Sequence, residues 1–117
     1  MRSVGEMAAL ANLKKAFLVV AGAAVQRFGE QIKQEQEVLL ALADVAIQAF
    51  AMESAILRAE KSAPALSDGR RAEMLAAAKV LAFAAVERIA TAARRAAFYV
   101  GEGDTTAMLL SGIRRLT

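Results

Sequence analysis

The amino-acid sequence predicts an all-α protein, an antiparallel helical bundle of three long helices plus one short C-terminal helix. Three observations favour this fold class. The strong helix formers Ala, Leu, Glu, Lys, Arg and Met supply most of the 117 residues. The chain has a single proline, Pro64, so little interrupts its helical runs. Apolar residues recur every three or four positions along the long segments, which is the period of a helix with a buried face.

The first helix is predicted over residues 5–28, with Gly29 at its C-terminal end. Lys14 and Lys15 followed by the apolar run 16–25 have the order of a signal peptide, but the helical stripe continues through the small residues where cleavage would occur. We therefore interpret the segment as part of the folded domain, with an apolar stripe formed by Met7, Leu10, Leu13, Phe17, Val20, Ala24 and Phe28.

The second helix is predicted over residues 35–61, after a short polar connection at 30–34. Glu35 and Glu37 in its first turn suit the positive end of the helix dipole. Its core stripe is formed by Val38, Leu42, Val45, Ala49, Met52 and Ile56. A second apolar stripe lies well round the helix and is formed by Leu40, Ile47, Phe50 and Leu57. A surface helix carries one such stripe, so this helix is either central to the bundle or covered by another molecule.

The third helix is predicted over residues 70–100, and a short fourth helix over 105–116. Ser67 and Asp68, in the connection before the third helix, are candidate N-caps. Its two apolar faces are formed by Leu75, Ala78, Leu81, Ala85, Ile89 and Ala92, and by Phe83, Val86, Ala90, Ala93, Ala97 and Val100. Two explanations carry equal weight: an interface, or alanine-rich helices that pack closely on all sides.

The residue content excludes most catalytic and metal sites. The chain has neither histidine nor cysteine, so it can form no Ser-His-Asp triad, no thiolate site and no ordinary zinc site. No glycine-rich phosphate loop follows a strand. We predict no catalytic, cofactor-binding or metal-ligating residue in this chain. No run of ~20 uncharged apolar residues is present either, so no transmembrane helix is predicted.

Asp44 stands among the apolar residues of the second helix, and acids in such positions are normally paired when they are buried. We predict a buried anchor formed by Asp44 with Arg88 or Arg95. The alternative is a half-exposed aspartate on the polar flank of the helix.

Pairs of arginines at 70–71, 94–95 and 114–115 raise the question of nucleic-acid binding. The second pair comes closest, because Phe98 and Tyr99 follow it and could stack on bases. Acidic residues lie nearby, the net charge is only +3, and no nucleic-acid-binding motif is present. Solvated faces and intramolecular salt bridges are the interpretation we adopt.

Residues 35–62 read EQEVLLALADVAIQAFAMESAILRAEKS, preceded by LKKAFLVVAGAAVQRFG at 13–29 and followed by EMLAAAKVLAFAAVERI at 73–89. This pattern resembles the C-terminal helical domain of very-long-chain-type acyl-CoA dehydrogenases and their bacterial relatives. The matching features include Glu35-Gln36, the triplet at 42–44, and Arg58-Ala59. The resemblance covers most of the chain and weakens after about Phe98.

In that family this domain follows the FAD-binding catalytic core and is associated with subunit assembly and, in mitochondrial members, with the membrane. The resemblance implies that residues 1–117 are a single C-terminal accessory domain that begins near a domain boundary and is inactive alone. The family's catalytic glutamate, FAD contacts and acyl-CoA cavity lie upstream of such a domain. The implied whole enzyme performs FAD-dependent α,β-dehydrogenation of acyl-CoA in fatty acid β-oxidation and passes electrons to an electron-transfer flavoprotein.

The expected partners are the enzyme's own catalytic core, further copies of the chain, or both. The alternative hypothesis is a free-standing helical adaptor or a membrane-surface-binding protein without enzyme activity, because apolar helices flanked by Lys and Arg can lie in a headgroup layer. A cytoplasmic location is expected, either in solution or peripheral to the inner face of the membrane.

Overall fold

The structure, a computed structural model, describes residues 4–117. These residues form four α-helices and no strand: α1 (Val4–Phe28), α2 (Gln36–Ser62), α3 (Asp68–Val100) and α4 (Asp104–Leu116). Two 3-10 helices, Gly29–Gln34 and Ala63–Ala65, connect α1 to α2 and α2 to α3. The predicted fold class is confirmed, and each predicted helix end agrees with the structure to within two residues.

Cross-helix contacts define an up-down-up-down arrangement. Lys14 of α1 donates to Glu53 of α2, with 2.7 Å between Nζ and Oε2, so that the start of one helix lies opposite the later part of the other. Arg95, late in α3, likewise lies opposite Asp44, early in α2. α4 folds back and packs against both α1 and α3. The resulting bundle is elongated, with Cα extents of 53 × 25 × 16 Å.

The connections begin and end where the residue types predict. Gly29 closes α1 in the left-handed region, with φ of 53°, which glycine adopts without steric cost. The Ser67 hydroxyl accepts a hydrogen bond from the backbone N–H of Arg70 at 3.4 Å, so Ser67 is the N-cap of α3. Because the cap comes first, α3 begins at Asp68, two residues before the predicted start.

Arg27 and Arg71 bind backbone carbonyls at the two ends of α3, a role that the sequence did not predict for either residue. Arg27 donates through Nη1 to the carbonyl oxygens of Tyr99 and Val100, at 2.9 and 2.7 Å. These carbonyls belong to the last turn of α3, where no intrahelical donor is available. At the other end, Arg71 donates to the carbonyl oxygens of Ala63 and Leu66, at 2.8 and 3.2 Å. Arg71 therefore fixes the connection that leads from α2 into α3.

The core follows the predicted stripe of α2 closely, since Val38, Leu42, Val45, Met52 and Ile56 are all buried. For α3, the predicted burial of the apolar faces holds in the C-terminal half and is wrong at Leu81, in the N-terminal half. Its C-terminal half is buried on both predicted faces, and the residues concerned are Ala85, Ile89, Ala90, Ala92, Ala93, Ala97 and Val100. Close packing of an alanine-rich helix explains this half, because α1, α2 and α4 all contact α3.

The N-terminal half of α3 contains the exceptions. Leu81, predicted to face the core, is exposed, and so is Phe83. In α1, Met7 is also exposed, although Leu10, Leu13, Val20 and Ala24 of the same stripe are buried.

By length and composition alone, residues 5–34 and 36–65 are long and apolar enough to cross a membrane, although the sequence predicted no span. Both stretches include charged side chains. Core helices of proteins in solution pass the same test when they are mostly buried, whereas 28% of the apolar window in each of these two stretches is buried. The finding is weak support for membrane insertion.

Candidate docking surface

The outer face of α2 carries the second apolar stripe, and the other helices of the chain leave it uncovered. Leu40, Ile47, Phe50 and Leu57 have 62%, 61%, 72% and 50% of their surface exposed. At 100° per residue they project from the side of α2 opposite its buried stripe. Large apolar side chains exposed along one helix face are typical of a contact surface for another molecule. The structure thus exposes all four candidate interface residues together.

Two smaller residues complete this face, and sequence reasoning missed them. Ala43 and Ser54 are exposed on the same side of α2. With them the positions run 40, 43, 47, 50, 54 and 57, an alternation of three- and four-residue steps. This 3.5-residue period is the signature of a helix that packs along a partner helix with a left-handed crossing. We call these six residues the α2 seam; it extends over about 26 Å at 1.5 Å per residue.

The apolar surface extends from the α2 seam towards α1. Leu18 of α1 is 66% exposed and lines a groove with Ala46 and Ala49 of α2. The ion pair between Lys14 and Glu53 lies at this boundary between the helices. One apolar surface therefore spans parts of two helices.

Asp44, Arg88 and Arg95 line one groove between α2 and α3, and the pair formed by Asp44 and Arg95 is not buried among residues 4–117. Arg95 Nη1 lies 3.7 Å from Asp44 Oδ2, and the two side chains are 49% and 58% exposed. Asp44 projects from the flank of α2 that no third helix covers, which is why the pair remains in contact with solvent. An ion pair of this exposure contributes at most about 1 kcal/mol to stability. Arg88 is in no ion pair among residues 4–117.

The remaining arginine pairs divide between structural and surface positions. Arg71 and Arg95 make the contacts described above, whereas Arg94 and Arg114 line an open groove between α3 and α4 together with the exposed ring of Phe98. In the part of the chain that the structure describes, no group of three His, Cys, Asp or Glu side chains is placed to hold a metal ion.

Comparison with known proteins places these features in a family. Residues 12–115 match the family model described as acyl-CoA dehydrogenase, C-terminal domain. A probable acyl-CoA dehydrogenase of Bacillus subtilis (strain 168) is 36% identical over 104 residues, which is 89% of this chain and 18% of the relative. The crystal structure of acyl-CoA dehydrogenase complexed with FAD from Bacillus anthracis superimposes with a TM-score of 0.88 at 34% identity.

That superposition covers 96% of this chain and 19% of the B. anthracis chain. The chain thus spans about a fifth of the length of these two relatives. The family match covers nearly the whole chain, and the helical arrangement agrees with that of the solved relative. The chain belongs to the acyl-CoA dehydrogenase C-terminal domain family.

Proposed function

We propose that the chain is the non-catalytic assembly and docking domain of an FAD-dependent acyl-CoA dehydrogenase. The observation that carries the proposal is the α2 seam. This chain, a member of the family, exposes on α2 a continuous apolar face that its other helices leave uncovered. Residues 1–117 act as a single accessory domain, and the catalytic core that binds FAD and acyl-CoA lies elsewhere in the enzyme.

The chemistry belongs to that core. The B. anthracis relative is complexed with FAD, which supports FAD as the cofactor of the whole enzyme. The enzyme removes hydrogen across the α,β bond of a fatty acyl-CoA in β-oxidation, and an electron-transfer flavoprotein accepts the electrons. This domain contributes contacts with the core and with further copies of the enzyme.

The groove that holds Asp44, Arg88 and Arg95 lies beside the seam. Its charged side chains contribute electrostatic contacts at the edge of the docked surface. Asp44 and Arg95 are already in contact before docking. When a partner removes solvent from the groove, their attraction strengthens because the local dielectric falls. Arg88 then offers an additional cation to a carboxylate of the partner. The three residues act as an anchor in the assembled enzyme.

Replacing Ile47 and Phe50 together with glutamate is expected to abolish association through this surface. Two carboxylates at the centre of the seam would be buried without partners, which costs far more than the apolar contact contributes. Sedimentation velocity of the whole enzyme carrying both substitutions should show dissociated subunits at concentrations at which the unsubstituted enzyme is assembled. Circular dichroism should show unchanged helicity, because both positions are exposed in the domain.

A matched control places the same charge elsewhere on the surface. Val80 of α3 is 70% exposed and lies outside the seam. Val80→Glu with Phe83→Glu, the second position being 69% exposed, adds the same two charges at the same spacing and should leave sedimentation unchanged. If the Ile47/Phe50 variant remains as assembled as the parent protein, the seam is ordinary surface and the docking proposal is wrong.

On this proposal, the domain lies in the cytoplasm. The apolar length of α1 and α2 is the observation that favours the second candidate, a membrane-surface-binding protein without enzyme activity. That candidate predicts binding to anionic vesicles that weakens as salt is raised. The assembly domain predicts no such binding.

A further inference from the structure

We propose that the partner on the α2 seam is the α2 seam of a second copy, packed antiparallel about a two-fold axis midway between Ile47 and Phe50. The inference rests on the proposed assembly function and names the occupant of its docking surface. A second copy is the simplest partner, because closed two-fold dimers are the commonest soluble oligomers and bring the same patch of both subunits together.

The order of side-chain sizes along the seam is self-complementary in this arrangement. Antiparallel pairing about the stated axis places Ile47 against Phe50 of the second copy, and Ala43 against Ser54. It also places Leu40 against Leu57. Each of these pairs occurs twice by symmetry. Pairs of large side chains therefore lie at the centre and at both ends of the seam, and the pairs of Ala43 with Ser54 lie between them. This alternation lets two helices approach closely while every large exposed side chain of the seam meets an apolar one.

The charges beside the seam favour the same register. Glu37 lies opposite Arg58 of the second copy at both ends, and Arg58 is in no ion pair among residues 4–117. Glu53 lies opposite Ala46, so no like charges face each other. A register shifted by one heptad would place Glu53 against Glu53 of the second copy and Ala43 against Lys61. Like-charge opposition and a buried ammonium both disfavour that alternative.

The size of the surface is sufficient for a weak to moderate dimer. Four large side chains per copy, each at least half exposed, would leave water, together with Ala43, Ser54 and the exposed Leu39 and Ala46 beside them. Apolar area flanked by paired charges over about 26 Å of helix approaches the lower limit of specific interfaces, about 1,200 Å² in total. We therefore expect concentration-dependent dimerisation of the 117-residue chain.

The test uses two double variants that differ at one position, where a lysine in one is a glutamate in the other. In Leu40→Glu with Leu57→Lys, antiparallel pairing places each glutamate against a lysine of the second copy. In Leu40→Glu with Leu57→Glu, it places glutamate against glutamate. Leu40 and Leu57 are both exposed in the domain, so circular dichroism should show the same helicity for both variants. The chain has no cysteine, so no disulfide can link the copies.

Sedimentation equilibrium is expected to show a dimer for the parent chain and an increase in Kd of about 30-fold or more for the Glu/Glu variant. The Glu/Lys variant should remain the tighter of the two. Mixing the Glu/Glu variant with Leu40→Lys plus Leu57→Lys should restore a one-to-one dimer. A monomeric parent chain, equal dissociation of the Glu/Glu and Glu/Lys variants, or no recovery on mixing would each overturn the proposal.

These outcomes separate the inference from the proposed function. If the Ile47/Phe50 variant disrupts the whole enzyme but the charge variants show no pairing between copies, the seam docks on the catalytic core. The assembly function then stands and the dimer is wrong. If the polypeptide in its native source carries no flavin, the assembly function fails whatever the oligomeric state of this chain.

Discussion

Replacing Leu13 with alanine is expected to lower the free energy of unfolding by about 2–5 kcal/mol. Leu13 is 1% exposed and belongs to a core cluster to which all four helices contribute. Most of the residues that α3 contributes to this cluster are alanines, whose short side chains cannot move in to fill the space. The cavity should therefore persist, and its cost adds to the lost apolar burial. Urea unfolding followed by circular dichroism measures the change.

Leu18→Ala provides the matched control, since the same residue type in the same helix is 66% exposed. Its unfolding free energy should change by less than about 0.5 kcal/mol. If the two variants were equally stable, the orientation of α1 in the bundle would be wrong.

Gly101→Ala is expected to destabilise the chain by about 1–3 kcal/mol through overpacking. Gly101 is buried at the turn between α3 and α4, and its backbone angles, φ of −83° and ψ of 155°, suit any residue. The destabilisation is expected because the added methyl group has too little space. An added Cβ would lie 2.7 Å from Cα and 2.8 Å from N of Thr106. These are backbone atoms, so α4 itself must move, and α4 buries Leu109 and Ile113.

Gly112→Ala should have the opposite sign. Gly112 lies inside α4, and beyond its chain neighbours and the nearby backbone of its own helix an added Cβ there meets no atom within 4 Å. Replacing a glycine in a helix interior with alanine should raise the unfolding free energy by about 0.5–1 kcal/mol. Thermal unfolding of the two variants side by side checks both signs. A Gly101 variant as stable as the parent chain would contradict the close approach of α4 to this turn.

The four helices could be predicted from the sequence because helix propensity, apolar period and end signals are local and agree with one another. Gly29 and Ser67 mark helix ends in the structure as they do in the sequence. The second stripe of α2 could also be predicted, with a central helix as the alternative to an uncovered face. It is exposed because α1 and α3 are the α-helices that pack against α2 in residues 4–117.

Other features depend on how the helices sit against one another, and periodicity does not contain that information. Leu81 repeats with the core stripe of α3 but lies exposed. Asp44 stands among apolar residues but projects from an uncovered flank. Arg27 and Gly101 show no distinctive local pattern, yet one binds the last carbonyls of α3 and the other admits the backbone of α4. Only the tertiary arrangement gives these residues their roles.

If this domain serves a larger flavin enzyme, as proposed above, the native polypeptide should be long and should carry flavin. An antibody raised against the 117-residue domain would recover that polypeptide from its source for measurement of mass and visible absorption. We predict a chain about five times the length of this domain, by comparison with the relatives, that carries the absorption of bound flavin. A colourless polypeptide of about 12.4 kDa would contradict the claim and favour the free-standing adaptor.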